Sequence, residues 1–400
     1  MAGEWAAGTL GDIADLVMGQ SPTGDTCNEV GRGFPLLNGP TEFGGNHPKP
    51  VQFTTDPRKF AEPGDLLFCV RGSTTGRMNW ADQRYAIGRG LAAIRAKEGK
   101  EYRHFVRAVI DVNLPWLLAS ATGSTFPNVS RDQIQEIECS VPTLAEQRAI
   151  ASVLEALDDK IELNRRMNAT LEAMARALFQ SWFVDFDPVR VKLDGRQPAG
   201  LDPGIAALFP AFFHETKVGH IPAGWQLGRL VDLCILKRGH DLPTSTRTKG
   251  PIPVISSSGI SGAHSETKVR GPGVVTGRYG TIGKVFYIET DYWPLNTTLY
   301  VDDFKGNPPR FIFHVVGEVN FQNYTDKAAV PGVNRNHLHE ELTVLPPMEL
   351  RQAFAHSVSP LWSQYVTNER ESRTLATLRD TLLPKLLSGE FQFQEAISRL

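Results

Sequence analysis

The sequence has little cysteine and no pair of cysteines at metal-binding or redox spacing. Only 4 of its 400 residues are cysteine, and Cys27, Cys69, Cys139 and Cys234 stand far apart from one another. A zinc ribbon or a thioredoxin-type site needs a C-x-x-C pair, so both classes are excluded. Sparse, unpaired thiols are typical of a reducing compartment, and we expect a cytoplasmic protein.

The sequence also lacks long apolar runs and an excess of one charge. No stretch approaches the roughly 20 apolar residues of a membrane-spanning helix, and no secretory signal is evident, which predicts a soluble chain with no membrane partner. Its 42 Lys and Arg residues are balanced by 44 Asp and Glu residues, for a net charge of -2. A uniformly basic nucleic-acid coat is therefore excluded, and any contact with DNA must come from local basic patches.

Motifs for cofactors and catalysis are missing as well. There is no G-x-x-x-x-G-K-[ST] phosphate loop, and His214, His220 and His240 lack the spacing of metal ligands. Residues 307–310, Asn-Pro-Pro-Arg, are similar to the Asn-Pro-Pro-aromatic motif of amino-methyltransferases, but Arg310 takes the place of the aromatic residue that stacks on a flipped base. The sequence therefore predicts no catalytic residue, no metal site and no cofactor in this chain.

What the sequence does have is an internal repeat. Residues 71–77, Arg-Gly-Ser-Thr-Thr-Gly-Arg, align with residues 278–284, Arg-Tyr-Gly-Thr-Ile-Gly-Lys, and residues 127–131 align with residues 331–335. Ordered self-similarity of this kind is the signature of a duplicated unit, here a globular part followed by a long helix. Five identical pairs precede these blocks: Trp5 with Trp225, Gly8 with Gly228, Leu10 with Leu230, Asp12 with Asp232 and Gly19 with Gly239.

The sequence pattern of the globular parts is typical of strand-rich domains. Short runs of β-forming residues, such as 65–70, 274–276, 285–288 and 297–301, are separated by many of the 36 glycines and 27 prolines. The predicted fold class is α+β, with two strand-rich mixed α/β domains separated by two long helices. The predicted boundaries are a first domain at 1–141, a helical spacer at 142–184, a connector with a helical turn near 205–209 at 185–217, a second domain at 218–345, a second helical spacer at 346–388 and a tail at 389–400.

The two long helices are predicted from apolar residues at heptad spacing. No proline or glycine interrupts residues 145–183, whereas the second pattern contains Pro360 and is expected to end at Pro384. Each heptad frame has one asparagine, a residue that fixes register when it is buried at such a position. The predicted helix-pairing residues are Ile150, Leu157, Asn164, Leu171 and Leu178 in the first helix and Phe354, Leu361, Asn368, Leu375 and Leu382 in the second.

Asparagines at equivalent positions indicate that the helices pair with each other as an antiparallel coiled coil, although packing of each helix on its own domain is the alternative. About 38 residues at 1.5 Å each make a rod of roughly 57 Å, with the two domains at its ends and related by a pseudo-two-fold axis. Two domains related in this way would read two DNA half-sites. Because the two domains differ in sequence, the expected target is bipartite and asymmetric.

Several segments resemble the specificity subunit of type I restriction–modification systems. They are the motif at 278–284, Val-Pro-Thr-Leu-Ala-Glu-Gln-Arg at 141–148, Leu-Pro-Pro-Met-Glu at 345–349, Leu-Leu-Pro-Lys-Leu-Leu-Ser-Gly at 382–389 and Trp-Phe-Val-Asp-Phe-Asp-Pro at 182–188. The resemblance covers nearly the whole chain, including the order domain, helix, domain, helix. The second proline motif departs from the first, because Met-Glu-Leu-Arg at 348–351 lacks the Glu-Gln pair, which leaves open whether both halves make the same contact.

The resemblance implies a non-catalytic DNA specificity subunit with two target-recognition domains, each reading one half of a split site. It implies that the helical regions act as a ruler between those domains. It also implies docking of two modification (methyltransferase) subunits, which carry S-adenosylmethionine, and of restriction subunits, which carry ATP- and Mg-dependent translocation and cleavage. Double-stranded DNA is the remaining expected partner.

Residues of the repeated motif are the leading candidates for contact with DNA. Arginine can bond guanine at two atoms, threonine and lysine reach phosphates, and glycine permits close approach of the backbone. The alternative is a tight turn between core strands with solvated side chains, and for the glycines both interpretations stay open. The candidates are Arg71, Thr74 and Arg77 in the first domain and Arg278, Tyr279, Thr281 and Lys284 in the second.

Other basic residues form local patches in both domains. Neutralisation of phosphates is the functional interpretation, although a single Lys or Arg is more often only solvated. The candidates are Arg84 and Arg89 in the first domain and Lys237, Arg238, Arg247 and Lys249, together with Lys268 and Arg270, in the second. Weaker candidates, because Asn and Ser are frequent in turns, are Asn128, Ser130, Arg131, Asn334 and Arg335.

Two other classes of function stay open. A self-contained DNA methyltransferase or nuclease would need cofactor or metal motifs that this sequence lacks. A coiled-coil scaffold in a defence complex, which joins proteins without reading DNA, agrees with the near-neutral net charge. Methyl transfer by the pure chain would favour the first class. DNA binding that does not change after Arg278→Ala and Lys284→Ala would favour the second.

Overall fold

The computed structural model describes residues 5–121, 127–324 and 332–390 of the chain. Pro331 of the repeated block and residues 391–400 of the predicted tail lie outside the described residues. The chain forms two compact units, one from Met1–Met167 with Thr367–Leu400 and the other from Asn168–Val366. We call them unit 1 and unit 2.

Unit 1 contains a strand-rich domain and one part of each long helix. Its strands are β1 (Ala6–Thr9), β2 (Ala14–Met18), β3 (Cys27–Asn28), β4 (Phe34–Leu37), β5 (Gln52–Thr54), β6 (Phe60–Ala61), β7 (Leu66–Cys69), β8 (Met78–Trp80), β9 (Tyr85–Ile87), β10 (Leu91–Ala96) and β11 (Glu138–Val141). Its helices are α1 (Leu10–Ile13), α2 (Arg103–Ala119), α3 (Arg131–Gln135) and the first part of α4 (Leu144–Phe183).

Unit 2 contains the second strand-rich domain and the remainder of the long helices. Its strands are β12 (Phe213–Thr216), β13 (Gly219–Pro222), β14 (Gln226–Arg229), β15 (Ile235–Arg238), β16 (Ile252–Ser256), β17 (Gly259–His264), β18 (Gly273–Gly277), β19 (Val285–Ile288), β20 (Trp293–Pro294), β21 (Thr298–Asp303) and β22 (Leu342–Leu345). Its helices are α5 (Asp187–Leu193), α6 (Pro203–Leu208), α7 (Leu230–Leu233), α8 (Pro309–Gly317), α9 (Arg335–His339) and the first part of α10 (Met348–Leu387).

The four-stranded sheets of the two units have the same topology, whereas the sheet β3-β5-β4-β9-β6 of unit 1 has five strands and its counterpart β17-β16-β20 in unit 2 has three. Unit 1 has a four-stranded sheet in the order β2-β10-β7-β8, and unit 2 has its counterpart in the order β15-β21-β18-β19. Strand β1 pairs with β11, as β14 pairs with β22. Parallel pairing joins β4 to β9 and β16 to β20. The predicted α+β class with an internal repeat is therefore confirmed, and the repeat extends to strand order.

Two of the identical residue pairs, Gly8 with Gly228 and Asp12 with Asp232, make equivalent contacts where β1 or β14 meets the following helix. An added Cβ atom at Gly8 would lie 2.8 Å from Val141 Cγ2, and one at Gly228 would lie 2.5 Å from Leu345 Cδ1. In the next turn Asp12 accepts a bond from the Thr9 N–H at 2.7 Å. The matching bond runs from the Arg229 N–H to Asp232 at 2.8 Å. The glycine and aspartate matches are therefore structural, because a Cβ atom at either glycine would displace the side chain of Val141 or Leu345, and both aspartates accept the same backbone bond.

The connector contains more structure than its sequence indicated. The predicted helical turn is present as α6, which begins with Pro203 after the capping side chain of Asp202. Helix α5 and the β12–β13 hairpin were not predicted. Val189, Phe209 and Ile221 of this region are buried in the core of unit 2. These elements therefore depend on tertiary burial, which a short segment rich in Pro and Gly does not reveal.

The two long helices are present in both halves, as predicted. The expectation that the second helix ends at Pro384 is wrong, because α10 continues through Pro360 and Pro384 to Leu387. A proline removes one backbone bond without ending a helix that packing holds in place. Leu386 of the last turn is 2% exposed, and with Leu382 and Leu383 it packs into the core of unit 1.

Within each unit the paired segments of α4 and α10 run antiparallel. In unit 1, Asn164 Nδ2 donates to Asn368 O at 3.4 Å, and Arg379 forms an ion pair with Asp158 at 2.7 Å. A higher residue number on one helix thus meets a lower number on the other. In unit 2, the rings of Phe179 and Phe354 are 5.5 Å apart, and Asn168 Nδ2 donates to Tyr365 O at 3.3 Å. The predicted pairing of the helices is confirmed.

The predicted heptad positions differ in how deeply they are buried. Asn164 and Asn368, at 0% and 2% exposure, meet at the seam between the helices in unit 1. The remaining positions fall into three groups: Ile150 and Leu382 in the core of unit 1, Leu178, Phe354 and Leu361 in the core of unit 2, and the half-buried Leu157, Leu171 and Leu375.

The two proline motifs make one contact in common. Gln147 Nε2 donates to Pro142 O at 2.9 Å at the start of α4. At the start of α10, Arg351 Nε donates to Pro346 O at 2.7 Å, and Arg351 Nη1 also donates to Asn307 Oδ1 at 2.6 Å. The departure in the second motif therefore keeps the bond to the proline carbonyl and adds a second one. No helix in the described part of the chain is long and apolar enough to cross a membrane.

Candidate nucleic-acid interface

The repeated motif forms a hairpin turn in each unit. Residues 71–77 connect β7 to β8, and residues 278–284 connect β18 to β19. Gly72 and Gly76 have φ values of 97° and 91°, and Gly280 and Gly283 have φ values of 79° and 83°. Only glycine adopts this left-handed backbone without strain. The motif glycines are therefore explained by the turn itself.

In each unit, a second segment forms hydrogen bonds with the residues at the start of this hairpin turn. In unit 1, the Val129 N–H donates to Val70 O at 2.9 Å, and Arg71 Nε donates to Asn128 Oδ1 at 3.3 Å. In unit 2, the Val333 N–H donates to Arg278 O at 3.0 Å. Residues just before α3 and α9 thus lie beside the motif turns.

These bonds correct the alignment of the motif. Arg71 bridges Asn128 and Tyr279 bridges Gly332, so that Arg71 occupies the position of Tyr279. The sequence comparison instead placed Arg71 opposite Arg278. The turn of unit 2 is one residue shorter, since eight residues separate the paired residues 276 and 285 but nine separate residues 68 and 78. A comparison without gaps aligns the end of the motif and misplaces its beginning.

A third segment is the turn that leads into β10 or β21. Its apex is Arg89 in unit 1 and Asn296 in unit 2. The backbone bonds that hold the turn are the same in both units. In unit 1 they are Val70 N to Gly90 O (3.0 Å), Gly88 N to Leu37 O (2.8 Å), Gln20 N to Ile87 O (2.9 Å) and Gly19 N to Leu91 O (2.9 Å). In unit 2 they are Arg278 N to Thr297 O (2.8 Å), Leu295 N to Ile255 O (2.8 Å), His240 N to Pro294 O (2.8 Å) and Gly239 N to Thr298 O (3.0 Å).

These segments bring polar side chains together at one edge of each unit. We call the two sets polar edge 1 and polar edge 2. Polar edge 1 consists of Gln20, Ser21, Asn38, Arg71, Arg89 and Asn128. Polar edge 2 consists of His240, Asp241, Ser256, Arg278, Tyr279 and Asn296. Arginine and amide side chains on a rigid frame are the groups that bond base edges in the major groove of DNA.

The fold is that of a known class of proteins. Over 96% of both chains, the structure is similar to the crystal structure of the type I restriction–modification S subunit from M. genitalium, with a TM-score of 0.55 and 17% identity. Residues 2–173 match the family model described as type I restriction modification DNA specificity domain.

Curated relatives agree along the chain. The type I restriction enzyme MjaIX specificity subunit of Methanocaldococcus jannaschii is 24% identical over 83% of this chain and 78% of its own length. The HindI specificity subunit of Haemophilus influenzae is also 24% identical, over 83% of this chain and 88% of its own length. The MjaX specificity subunit of M. jannaschii is 34% identical, but that alignment spans only 42% of this chain and 40% of the relative.

Along most of its length, this chain is similar to type I restriction enzyme specificity subunits.

The basic residues predicted to contact DNA differ in whether they have a charged or polar partner. Among the described residues, Arg77, Arg89, Lys249, Arg270 and Lys284 are exposed and form no ion pair. The others have partners: Arg84 with Glu62 at 2.9 Å, Lys237 with Asp302 at 3.5 Å, Arg238 with Asp241 at 3.8 Å, and Arg247, which donates to Ser261 O at 3.1 Å. The unpaired group is the one available to neutralise phosphates.

The remaining candidates lie at the turns or at helix starts. Thr74 is half-buried, with its hydroxyl 3.6 Å from Cys69 Sγ, whereas Thr281 is exposed. The Arg278 guanidinium lies 4.4 Å from the centre of the Tyr279 ring. The other predicted residues are the exposed Arg131 and Arg335, Lys268 at 5.5 Å from the Trp293 ring, and Ser130 and Asn334, whose side chains cap α3 and α9.

Burial affects one titratable group of polar edge 2. The pKa of His240 is lowered, mainly by burial and further by the nearby Lys268 and Lys237. A neutral imidazole has one donor and one acceptor nitrogen. The Nε2 atom of His240 lies 3.4 Å from the Tyr300 hydroxyl. His240 therefore adds no positive charge to this edge at neutral pH.

The sequence alone does not predict Gln20, Ser21, Asn38, Asp241, Ser256 or Asn296 as DNA contacts. Two signals in the repeat point to some of them. Ser21 and Asp241 each follow a glycine of the repeat by two positions, and Asn296 aligns with the predicted Arg89. Asn38 and Ser256 have no such signal, because they reach the edges only through pairing of β4 and β16 with distant strands.

Proposed function

We propose that this chain is a non-catalytic specificity subunit that reads a bipartite, asymmetric DNA target. The observation that supports the proposal is the pair of polar edges, which share one backbone frame and differ in side chains. Arg71 in unit 1 corresponds to Tyr279 in unit 2, and Arg89 corresponds to Asn296. A shared frame favours the same mode of docking on DNA, while different side chains favour different bases.

The chemistry would belong to partner subunits. Two modification subunits would supply S-adenosylmethionine and methyl transfer, and restriction subunits would supply ATP- and Mg-dependent translocation and cleavage. Support comes from the relatives, which are named as specificity subunits of restriction enzymes. That the long helices set the gap between half-sites stays a prediction from the sequence.

Methylome sequencing tests this function directly. The chain would be expressed with its genomically adjacent modification subunit in a host that lacks DNA methylation. We expect a split, asymmetric motif with a fixed unread gap. A short continuous motif would mean that only one edge reads DNA. An intact complex that leaves the genome unmodified would favour the scaffold alternative, and methyl transfer by the pure chain would favour the self-contained enzyme.

Removing one unpaired basic residue from each motif turn should weaken DNA binding without changing its specificity. For Arg77→Ala with Lys284→Ala, we expect similar losses on target and non-target duplexes, because phosphate contacts do not depend on sequence. The slope of log K against log salt concentration should become shallower by about 2, since each phosphate contact contributes roughly 0.9. Titration of the complex with duplex DNA at several salt concentrations measures both.

A matched control removes the same charge elsewhere in each unit. Arg58 and Lys217 are exposed in units 1 and 2, and Arg58→Ala with Lys217→Ala should leave the salt slope as it is. An unchanged slope in the Arg77/Lys284 variant would contradict the assignment of these residues to DNA.

A further inference from the structure

The side chain of Asn296 has a fixed orientation at the apex of its turn. Asn296 Nδ2 donates to Asp241 Oδ1. A carboxylate can only accept hydrogen bonds, so the amide must turn its nitrogen towards Asp241. The Asn296 carbonyl oxygen and the second N–H are then left for another partner. The side chain is thus held as an adjacent donor and acceptor.

The turn does not need this side chain to keep its shape. Its backbone is held by the four bonds shared with unit 1, and the Thr298 hydroxyl donates to Leu295 O at 2.7 Å. Arg238 Nη2 lies 3.8 Å from Asp241 Oδ1 and offsets part of the carboxylate charge that would otherwise repel DNA. The bond between Asn296 and Asp241 therefore orients the amide rather than closing the turn.

We propose that Asn296 reads an adenine in the half-site recognised by unit 2, and that Asp241 is its positioning residue. An asparagine amide with one free N–H and a free oxygen can bond adenine at both N7 and N6. This inference rests on the proposed function, and it assigns a base to one residue of polar edge 2.

The equivalent apex of unit 1 has different chemistry. Arg89 takes the place of Asn296, and Ser21 takes the place of Asp241. The Ser21 hydroxyl accepts a bond from the Arg89 backbone N–H at 3.2 Å, which leaves the Arg89 guanidinium exposed. A guanidinium is the usual partner of guanine O6 and N7. The same backbone position thus carries a side chain suited to adenine in unit 2 and a side chain suited to guanine in unit 1.

The experiment selects bound duplexes from a library with randomised half-sites, using the complex of the full chain with its modification subunit. We expect the wild-type complex to require adenine at one position of one half-site. Asn296→Ala should lower the preference for adenine at that position by about tenfold or more, and leave the other positions unchanged. Asp241→Ala should lower the same preference by a smaller factor, because the amide remains but is no longer oriented.

A control variant and two further outcomes complete the test. Gln352→Ala removes an exposed amide from α10 in the same unit and should select the wild-type motif. If Asn296→Ala also selects the wild-type motif, or loses all positions equally, the inference is overturned while the proposed function stands. If the wild-type complex selects no motif, the proposed function is overturned and the inference with it.

Discussion

Phe354→Ala is expected to lower the free energy of unfolding of unit 2 by about 3–5 kcal/mol, since the change removes a large buried ring and leaves a cavity. Phe354 is fully buried at the start of α10. It contacts the rings of Phe179, Trp182, Phe183, Phe311 and His314 at centre-to-centre distances of 5.4–6.4 Å. Urea unfolding, followed by hydrogen exchange of peptides from residues 168–366, measures the effect.

Phe212→Ala is the matched control for this prediction. Phe212 belongs to the same unit and is 67% exposed, so its loss should change the free energy of unfolding by less than about 0.5 kcal/mol. A similar small change for Phe354→Ala would contradict the view that the packed rings of α4, α8 and α10 stabilise unit 2.

Acidification from pH 7.5 to pH 5 is expected to destabilise unit 1 through His104. Burial lowers the pKa of His104 from 6.5 to about 4, with Arg103 and Arg107 acting in the same direction and Asp158 opposing them. The imidazole is thus neutral in the folded protein, and its approaches to Glu155 and Asp158 at 3.6 and 3.8 Å are not ion pairs at neutral pH.

The direction of the pH effect follows from proton binding. Below pH 6.5 the unfolded chain binds a proton at His104, whereas the folded chain does not bind this proton until the pH falls to about 4. Stability is therefore full above pH 6.5 and falls through this window, by about 2 kcal/mol at pH 5. His314 of unit 2, whose pKa is also lowered to about 4 by burial and by Arg176 and Arg310, should act in the same way.

Comparison of variants isolates the contribution of one histidine. The pKa of the neighbouring Asp111 is raised by burial, so this carboxyl opposes the effect of His104 as the pH falls. In His104→Gln the loss of stability between pH 7.5 and pH 5 should shrink by about 2 kcal/mol. His214→Gln changes an exposed histidine and should keep the wild-type dependence. Equal dependence in His104→Gln and wild type would show that the buried imidazole does not drive it.

The helices and the repeat could be predicted because their signals are local. Heptad spacing of apolar residues defines a helix, and both long helices appear in the structure. The end of α10 could not be predicted, because Leu386 and its neighbours hold the last turn past Pro384 by packing on residues far away in sequence. Propensity predicts an end at proline, and tertiary burial outweighs it.

The candidate site could be predicted only in part. The motif glycines of both hairpins stand out as sequence signals, and the sequence also predicts Arg89 as a DNA contact. The correspondence of Arg71 with Tyr279 was wrong in the sequence alignment, since one missing residue in a turn changes which side chains are equivalent.

The sequence by itself determined the duplicated α+β plan, the two long helices and the resemblance to specificity subunits. These follow from periodicity, glycine turns and ordered self-similarity, which depend on residues near one another in the chain. Only the tertiary structure decided which side chains share a polar edge. Ser21, Asn38 and Arg89, and likewise Asp241 and Asn296, meet through backbone bonds between distant strands. Such pairing depends on the burial of whole sheets, and no local pattern encodes it.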